Sequence, residues 1–125
     1  MQTGRPYFSD IARPLFRGTT YDGVYEHRDP STGAPVSLDG CTLYFVIKSK
    51  LYDESANNSS AVLNMAIENI QDVAGNGVVD FQFTIPATTA PKVYFYSFVV
   101  KDSNGHVGEP TAVGRVSIEG VTANV

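Results

Sequence analysis

Residues 93–100 read Val93-Tyr94-Phe95-Tyr96-Ser97-Phe98-Val99-Val100. All but the serine are aromatic or β-branched, and side chains of that kind suit a pleated, buried backbone, so the run predicts a strand. Its two faces are both apolar: Tyr94, Tyr96, Phe98 and Val100 on one, Val93, Phe95 and Val99 on the other. A single sandwich core covers one face of a strand. The second must be covered by the N-terminal segment, by a long loop or by a neighbouring subunit, because an open uncharged strand templates aggregation.

Outward from this run, the chain reads as strands separated by turn chemistry. Residues 41–50 alternate Cys41, Leu43, Phe45, Ile47 with Thr42, Tyr44, Val46, Lys48, a period of two. Residues 78–85 do the same, with Val79, Phe81, Phe83 and Ile85 facing in after a tight turn at Asn76-Gly77. Further strands are expected at 19–28, 61–70 and 93–102, and a last extended segment at 106–118 is interrupted by Pro110 and Gly114. Residues 52–60 are polar and read as a loop, and 86–92 hold two prolines that break the sheet into an irregular crossover or a helical turn. The expected fold is all-β: an immunoglobulin-like β-sandwich of about seven antiparallel strands over residues 19–125. Residues 1–18 show no sustained period and read as an extended N-terminal arm, studded with Tyr7, Phe8, Ile11, Leu15 and Phe16. So many apolar side chains suit docking, either on the chain's own sandwich or on a neighbour.

Composition narrows the function classes. The 125 residues fit one domain, and 42% hydrophobic with 18% charged residues is too apolar for disorder and somewhat poor in charge for a fully solvated surface. With a net charge of −4 and only nine dispersed Lys and Arg, no nucleic acid is expected as a partner. No apolar run is long enough to span a bilayer or to form the core of a signal peptide, so no membrane partner is expected, and the chain reads as made in a cytoplasm. One cysteine, Cys41, allows neither an intrachain disulfide nor a CxxC motif.

Motifs that carry chemistry are missing. There is no Gly-rich phosphate loop, HExxH, GxSxG or evident carboxylate pair, so no enzymatic activity and no cofactor are expected. His27 and His106 read as structural, and Asp102, Asn104 and Glu109 fail the spacing of a calcium loop, while Asp102 to Gly105 suit a hairpin turn. An exposed tyrosine such as Tyr44 suits stacking on sugar rings, although tryptophan is absent.

The stretches Arg17-Gly18-Thr19-Thr20 and Thr32-Gly33-Ala34-Pro35-Val36 through Gly40-Cys41-Thr42-Leu43, with Lys48 and Lys50 closing the strand, resemble the immunoglobulin-like domain of tailed-phage virion proteins, such as the N-terminal domain of baseplate upper proteins. Residues 77–83, the Pro86-Ala87-Thr88-Thr89-Ala90 step, Tyr94 and Tyr96 before Asp102-Ser103-Asn104-Gly105, Gly114-Arg115-Val116 and Val121-Thr122 extend the likeness over residues 17–122. Cys41 departs from it, standing where a small residue is usual. The resemblance implies a fold and a virion setting but no active site to transfer. It implies a non-enzymatic structural subunit, either a tail or baseplate accessory or a capsid decoration, with other phage structural proteins as partners. Such a subunit would form a homo-oligomer or dock on a larger virion protein. The assembly surface is expected at Tyr7, Phe8, Ile11, Leu15, Phe16, Tyr44 and Phe95. The alternative is a carbohydrate-binding module for host adsorption.

Overall fold

The period-two segments do become strands, and they build two sheets that face each other. A computed structural model describes residues 14–49, 61–108 and 111–120, together with the backbone of 3–6. Its strands are β1 (Thr3–Pro6), β2 (Leu15–Phe16), β3 (Thr20–Arg28), β4 (Thr42–Lys48), β5 (Leu63–Ile67), β6 (Val78–Thr84), β7 (Lys92–Lys101) and β8 (Ala112–Glu119). One sheet has the order β1-β3-β6 and the other β2-β8-β7-β4-β5. The fold is an all-β sandwich. The described residues contain no helix, and 86–91 form an irregular crossover in which the Thr89 N–H donates to the Pro86 carbonyl, Lys92 already belonging to β7. Residues 52–60 lie outside the described residues.

Two expectations need correction. Residues 1–18 are not only an arm, because they supply β1, antiparallel to β3, and β2, parallel to β8. That parallel pair also departs from the all-antiparallel expectation. The reason is positional. β3 spends the backbone groups of its odd-numbered residues on β6, since His27 N–H donates to Gly77 and Ile85 N–H donates to Thr19 in one continuous register. Its even residues therefore face β1, where Arg28 and Glu26 stand opposite Thr3 and Arg5, and the missing N–H of Pro6 falls on the outer edge. Strand order in this Gly- and Pro-containing segment comes from its partner, not from its own propensity. The second correction concerns Asn76-Gly77: the turn before β6 lies just ahead of it, at 72–75, where the Gly75 N–H donates to the Asp72 carbonyl, and it ends a crossover, since β5 and β6 lie in different sheets.

The core is aromatic. Phe45 and Phe98, cross-strand neighbours in the larger sheet, stack at 4.5 Å and 3°. Phe81 and Phe83 from β6 meet Phe45 edge-on at 5.5 and 5.2 Å, and Tyr25 packs on Phe98 at 5.0 Å. Leu43, Ile47, Ile85, Val116 and Ile118 complete it with no exposed surface. Two glycines sit under aromatic rings. Gly23 stands opposite Phe81 and Gly114 opposite Tyr96, and a Cβ on Gly23 would fall 2.5 Å from Phe81 Cζ. Each ring lies across its glycine, filling the space a side chain would take.

Asp72 ties the loops at one end of the sandwich. Its Oδ2 accepts the N–H of Leu38 at 2.8 Å and of Gly77 at 3.0 Å, and its Oδ1 accepts that of Asn76 at 2.9 Å. Its own N–H donates to Asp39. Burial pushes the carboxyl up, but the three amide donors outweigh burial and hold it below the ordinary carboxylate value. Gly77 is required here: it adopts φ +67°, and a Cβ would lie 2.5 Å from the His27 carbonyl.

Two outcomes follow from this geometry. Gly23→Ala displaces the Phe81 ring and costs about 1–3 kcal/mol, read by urea unfolding; an unchanged midpoint would show that the ring does not lock the glycine. Asp72→Asn loses roughly 2–3 kcal/mol near neutral pH. Because the folded pKa lies below the ordinary 3.8, the stabilisation is present above that value and is lost as pH falls through the folded one. Parent and variant should therefore converge in acid, and a constant gap down to the acid transition would count against the charge as its source.

Candidate assembly surface

Alternation along the larger sheet decides which residues leave the core. On β7, Tyr94, Tyr96 and Phe98 are buried, so Val93, Phe95, Ser97 and Val99 face outward. On β4, Leu43, Phe45 and Ile47 point in and Thr42, Tyr44, Val46 and Lys48 point out. Register then fixes the neighbours across strands. Phe95 lies between Lys48 on β4 and Arg115 on β8. Tyr44 stands between Ala66 and Val99, and Val46 between Asn64 and Ser97. Phe16 on β2, 40% exposed, lies beside Glu119 on the same outer face.

This places the residues expected to form an interface. Tyr44, Phe95 and Phe16 share one face of the five-stranded sheet. Leu15 does not: it is 4% exposed, pairs with buried Ile118 and belongs to the core, because adjacent residues of a strand point to opposite faces. Tyr7, Phe8 and Ile11 lie outside the described residues. Val46, Lys48, Val113 and Arg115 join the face without having been singled out, and the alternation of their strands was the signal that could have found them. Val46 is only 9% exposed even though it points away from the core, while Val93 and Val113 are 45% and 46% exposed.

The smaller sheet turns a different surface outward. Asp22, Val24, Asp80 and Gln82 line a shallow trough of about 570 Å³ between β3 and β6, and Gln82 Nε2 donates to Asp22 Oδ1 at 2.9 Å. Asp22 and Asp80 make this trough acidic, whereas Lys48, Lys101 and Arg115 make the other sheet's face predominantly basic. Two outer faces of opposite character thus enclose one core.

Polar groups inside the sandwich are engaged structurally. The Tyr25 hydroxyl is hydrogen-bonded to Thr111 Oγ1 and, at 3.1 Å, to His27 Nδ1. Burial pushes the Tyr25 phenol up to about 12, against the lowering effect of Thr111, and burial pushes the His27 imidazole down. Such a phenol stays protonated and such an imidazole stays neutral at physiological pH, which suits a hydrogen-bonded core pair. At the other end, Asp102 Oδ1 accepts the N–H groups of Asn104 and His106, each at 2.9 Å. The His106 amide leads, ahead of the opposing effect of burial, in holding the Asp102 carboxyl below its usual range. The carboxylate thus closes its own hairpin, and Glu109 lies outside the described residues. Among the described residues no three His, Cys, Asp or Glu side chains are grouped to hold a metal ion.

Comparison with known proteins adds to the fold. No protein family matches the chain, and no curated protein does. Among solved structures, the soluble domain of PmoD from Methylocystis sp. ATCC 49242 (Rockwell) is similar, with a TM-score of 0.51 at 8% sequence identity, covering 95% of this chain and 91% of that one. At that identity the likeness speaks for a shared all-β architecture and for nothing about activity.

The buried histidine gives a checkable pH dependence. Its folded pKa lies below the ordinary 6.5, so its neutral form is fully accommodated above 6.5. As pH falls from 6.5 toward the folded value, the unfolded chain takes up a proton that the folded chain refuses, and stability declines. Unfolding free energies measured across this window should show that slope, and His27→Gln should remove it. A slope retained in the variant would assign it to another group.

Proposed function

We propose that this chain is a non-enzymatic structural subunit of a tailed-phage virion, a tail or baseplate accessory or a capsid decoration protein, that docks through the outer face of its five-stranded sheet. The observation that carries the proposal is Phe95, an aromatic ring pointing away from the core between Lys48 and Arg115 on a face that also presents Tyr44, Val99 and Phe16. Aromatic and Arg side chains in an apolar patch are the residue types that anchor protein interfaces. Support for the virion setting is the resemblance of residues 17–122 to immunoglobulin-like virion domains. The strand orders β1-β3-β6 and β2-β8-β7-β4-β5, with the chain passing repeatedly between sheets, support the immunoglobulin-like reading.

Phe95→Glu tests the surface without disturbing the sheet, since a carboxylate between Lys48 and Arg115 is matched in charge while the apolar anchor is gone. The variant should fold, with a circular dichroism spectrum and unfolding midpoint close to the parent's. Its incorporation into particles, or its co-purification with virion proteins, should fall by about a factor of ten or more, the scale of an interface anchor. Normal occupancy with Phe95→Glu would overturn the proposed face. Retained binding of the isolated chain to glycans, lost in Tyr44→Ala, would replace the reading with host adsorption.

A further inference from the structure

The smaller sheet ends in a strand whose outer edge has the properties of a second binding surface. Four strands lie at sheet edges: β1, β6, β2 and β5. β1 contains Gly4 and Pro6, β2 has two residues and β5 has five. β6 has seven, Val-Val-Asp-Phe-Gln-Phe-Thr, with neither Pro nor Lys to blunt its edge and Asp80 as its one charge. Among the described residues it has β3 on one side and no strand on the other.

Register determines which backbone groups that edge offers. Gly77 and Ile85 are bonded to β3, and the pairing between them is unbroken, so Val79, Phe81 and Phe83 bond inward as well. The N–H and C=O groups of Val78, Asp80, Gln82 and Thr84 point away from β3. Their side chains all lie on the exposed outer face. Gln82 gives one amide hydrogen to Asp22, which leaves the second hydrogen of its –NH₂ group; Asp80, two residues away, has no partner among the described residues.

We propose that β6 pairs with β6 of a second copy of this chain, antiparallel, about a two-fold axis at Phe81. Edge-facing residues must meet edge-facing residues, so the axis passes through a residue and not between two, and only an axis at Phe81 overlaps the whole strand. That register sets Asp80 opposite the second copy's Gln82, and Val78 opposite its Thr84, each twice by symmetry. Asp80 never meets Asp80. The spare amide hydrogen of each Gln82 reaches the Asp80 carboxylate across the seam, giving a row Asp22, Gln82, Asp80 that crosses from one copy to the other. This surface lies on the opposite sheet from Phe95 and stands or falls separately from the proposed docking face.

Analytical ultracentrifugation of the full chain should show a reversible dimer, and amide exchange by NMR should reveal the seam. From dilute to concentrated samples, exchange at Val78, Asp80, Gln82 and Thr84 should slow about tenfold or more. Val79, Phe81 and Phe83 should exchange independently of concentration. Gln82→Pro deletes an N–H that its own sheet does not use, and Asp80→Lys replaces the acceptor with a donor. Each should weaken the dimer about tenfold or more, the scale of losing two cross-strand pairs. If Gln82→Pro fails to fold, Asp80→Lys and the exchange pattern decide. A chain that stays monomeric to about 1 mM, a dimer without the alternating protection, or one indifferent to Asp80→Lys overturns the proposal.

Discussion

Phe45 is the point at which the two sheets are joined. It stacks on Phe98 within its own sheet, the ring planes almost parallel at 3°, and receives the edges of Phe81 and Phe83 from the other. The two arrangements do different work. Stacking along the sheet sets which residues of β4 and β7 stand opposite each other, and edge-on contacts across the gap set the depth at which β6 sits. Because side chains alternate, fixing Phe45 inward also commits Tyr44 and Val46 to the outside. The outer face proposed for docking is therefore a consequence of the core: once Phe45 and Phe98 are buried, Tyr44, Val99 and Phe95 have nowhere else to point.

The same constraint reaches the loops through Asp72. Where β3 ends, His27 N–H still bonds to Gly77, but the Gly77 N–H leaves the ladder and goes to the Asp72 carboxylate, while the His27 carbonyl takes the N–H of Val36. One carboxylate thereby satisfies three amides, from Leu38, Asn76 and Gly77, that the strand ends would otherwise leave unpaired. Its charge is retained despite 6% exposure because donors surround it. The left-handed conformation of Gly77 is the local condition, since any Cβ would strike two carbonyls.

What was legible in the sequence follows the range of the interactions. Period-two runs at 42–48 and 78–84 announce their strands because each residue's face depends only on its own position, and Tyr44 was readable as a surface residue for that reason, whereas 93–100 is apolar on both faces and only the structure shows that Phe95 points outward. β1 was not readable: Thr-Gly-Arg-Pro has little strand propensity, and it is ordered by unused backbone groups on β3 that lie far along the chain. Leu15 and Phe16 are adjacent and equally apolar, and only the pairing with Ile118 and Glu119 tells that one belongs to the core and the other to the surface. Asn76-Gly77 has the chemistry of a tight turn, but the turn forms just before it and the Asp72 carboxylate takes both of its amides, an anchor that local turn chemistry does not announce. The glycines under Phe81 and Tyr96 depend on register, which no single stretch encodes.

Faces and edges of a sandwich obey different rules. A face is protected or exposed by side chains, and here one outer face carries aromatic and cationic groups while the other carries Asp22 and Asp80. An edge is protected by what its backbone lacks. β1 is closed on its outer side by Pro6, whose absent N–H falls where a further strand would seek it, and β2 is too short to template one. β6 has neither defence, yet its outward residues are not indiscriminately sticky: in the one antiparallel register that overlaps the whole strand Asp80 stands opposite Gln82, whereas a shift of the axis to Asp80 sets two carboxylates face to face. An edge that is open but selective is the arrangement expected where pairing is used and aggregation is avoided.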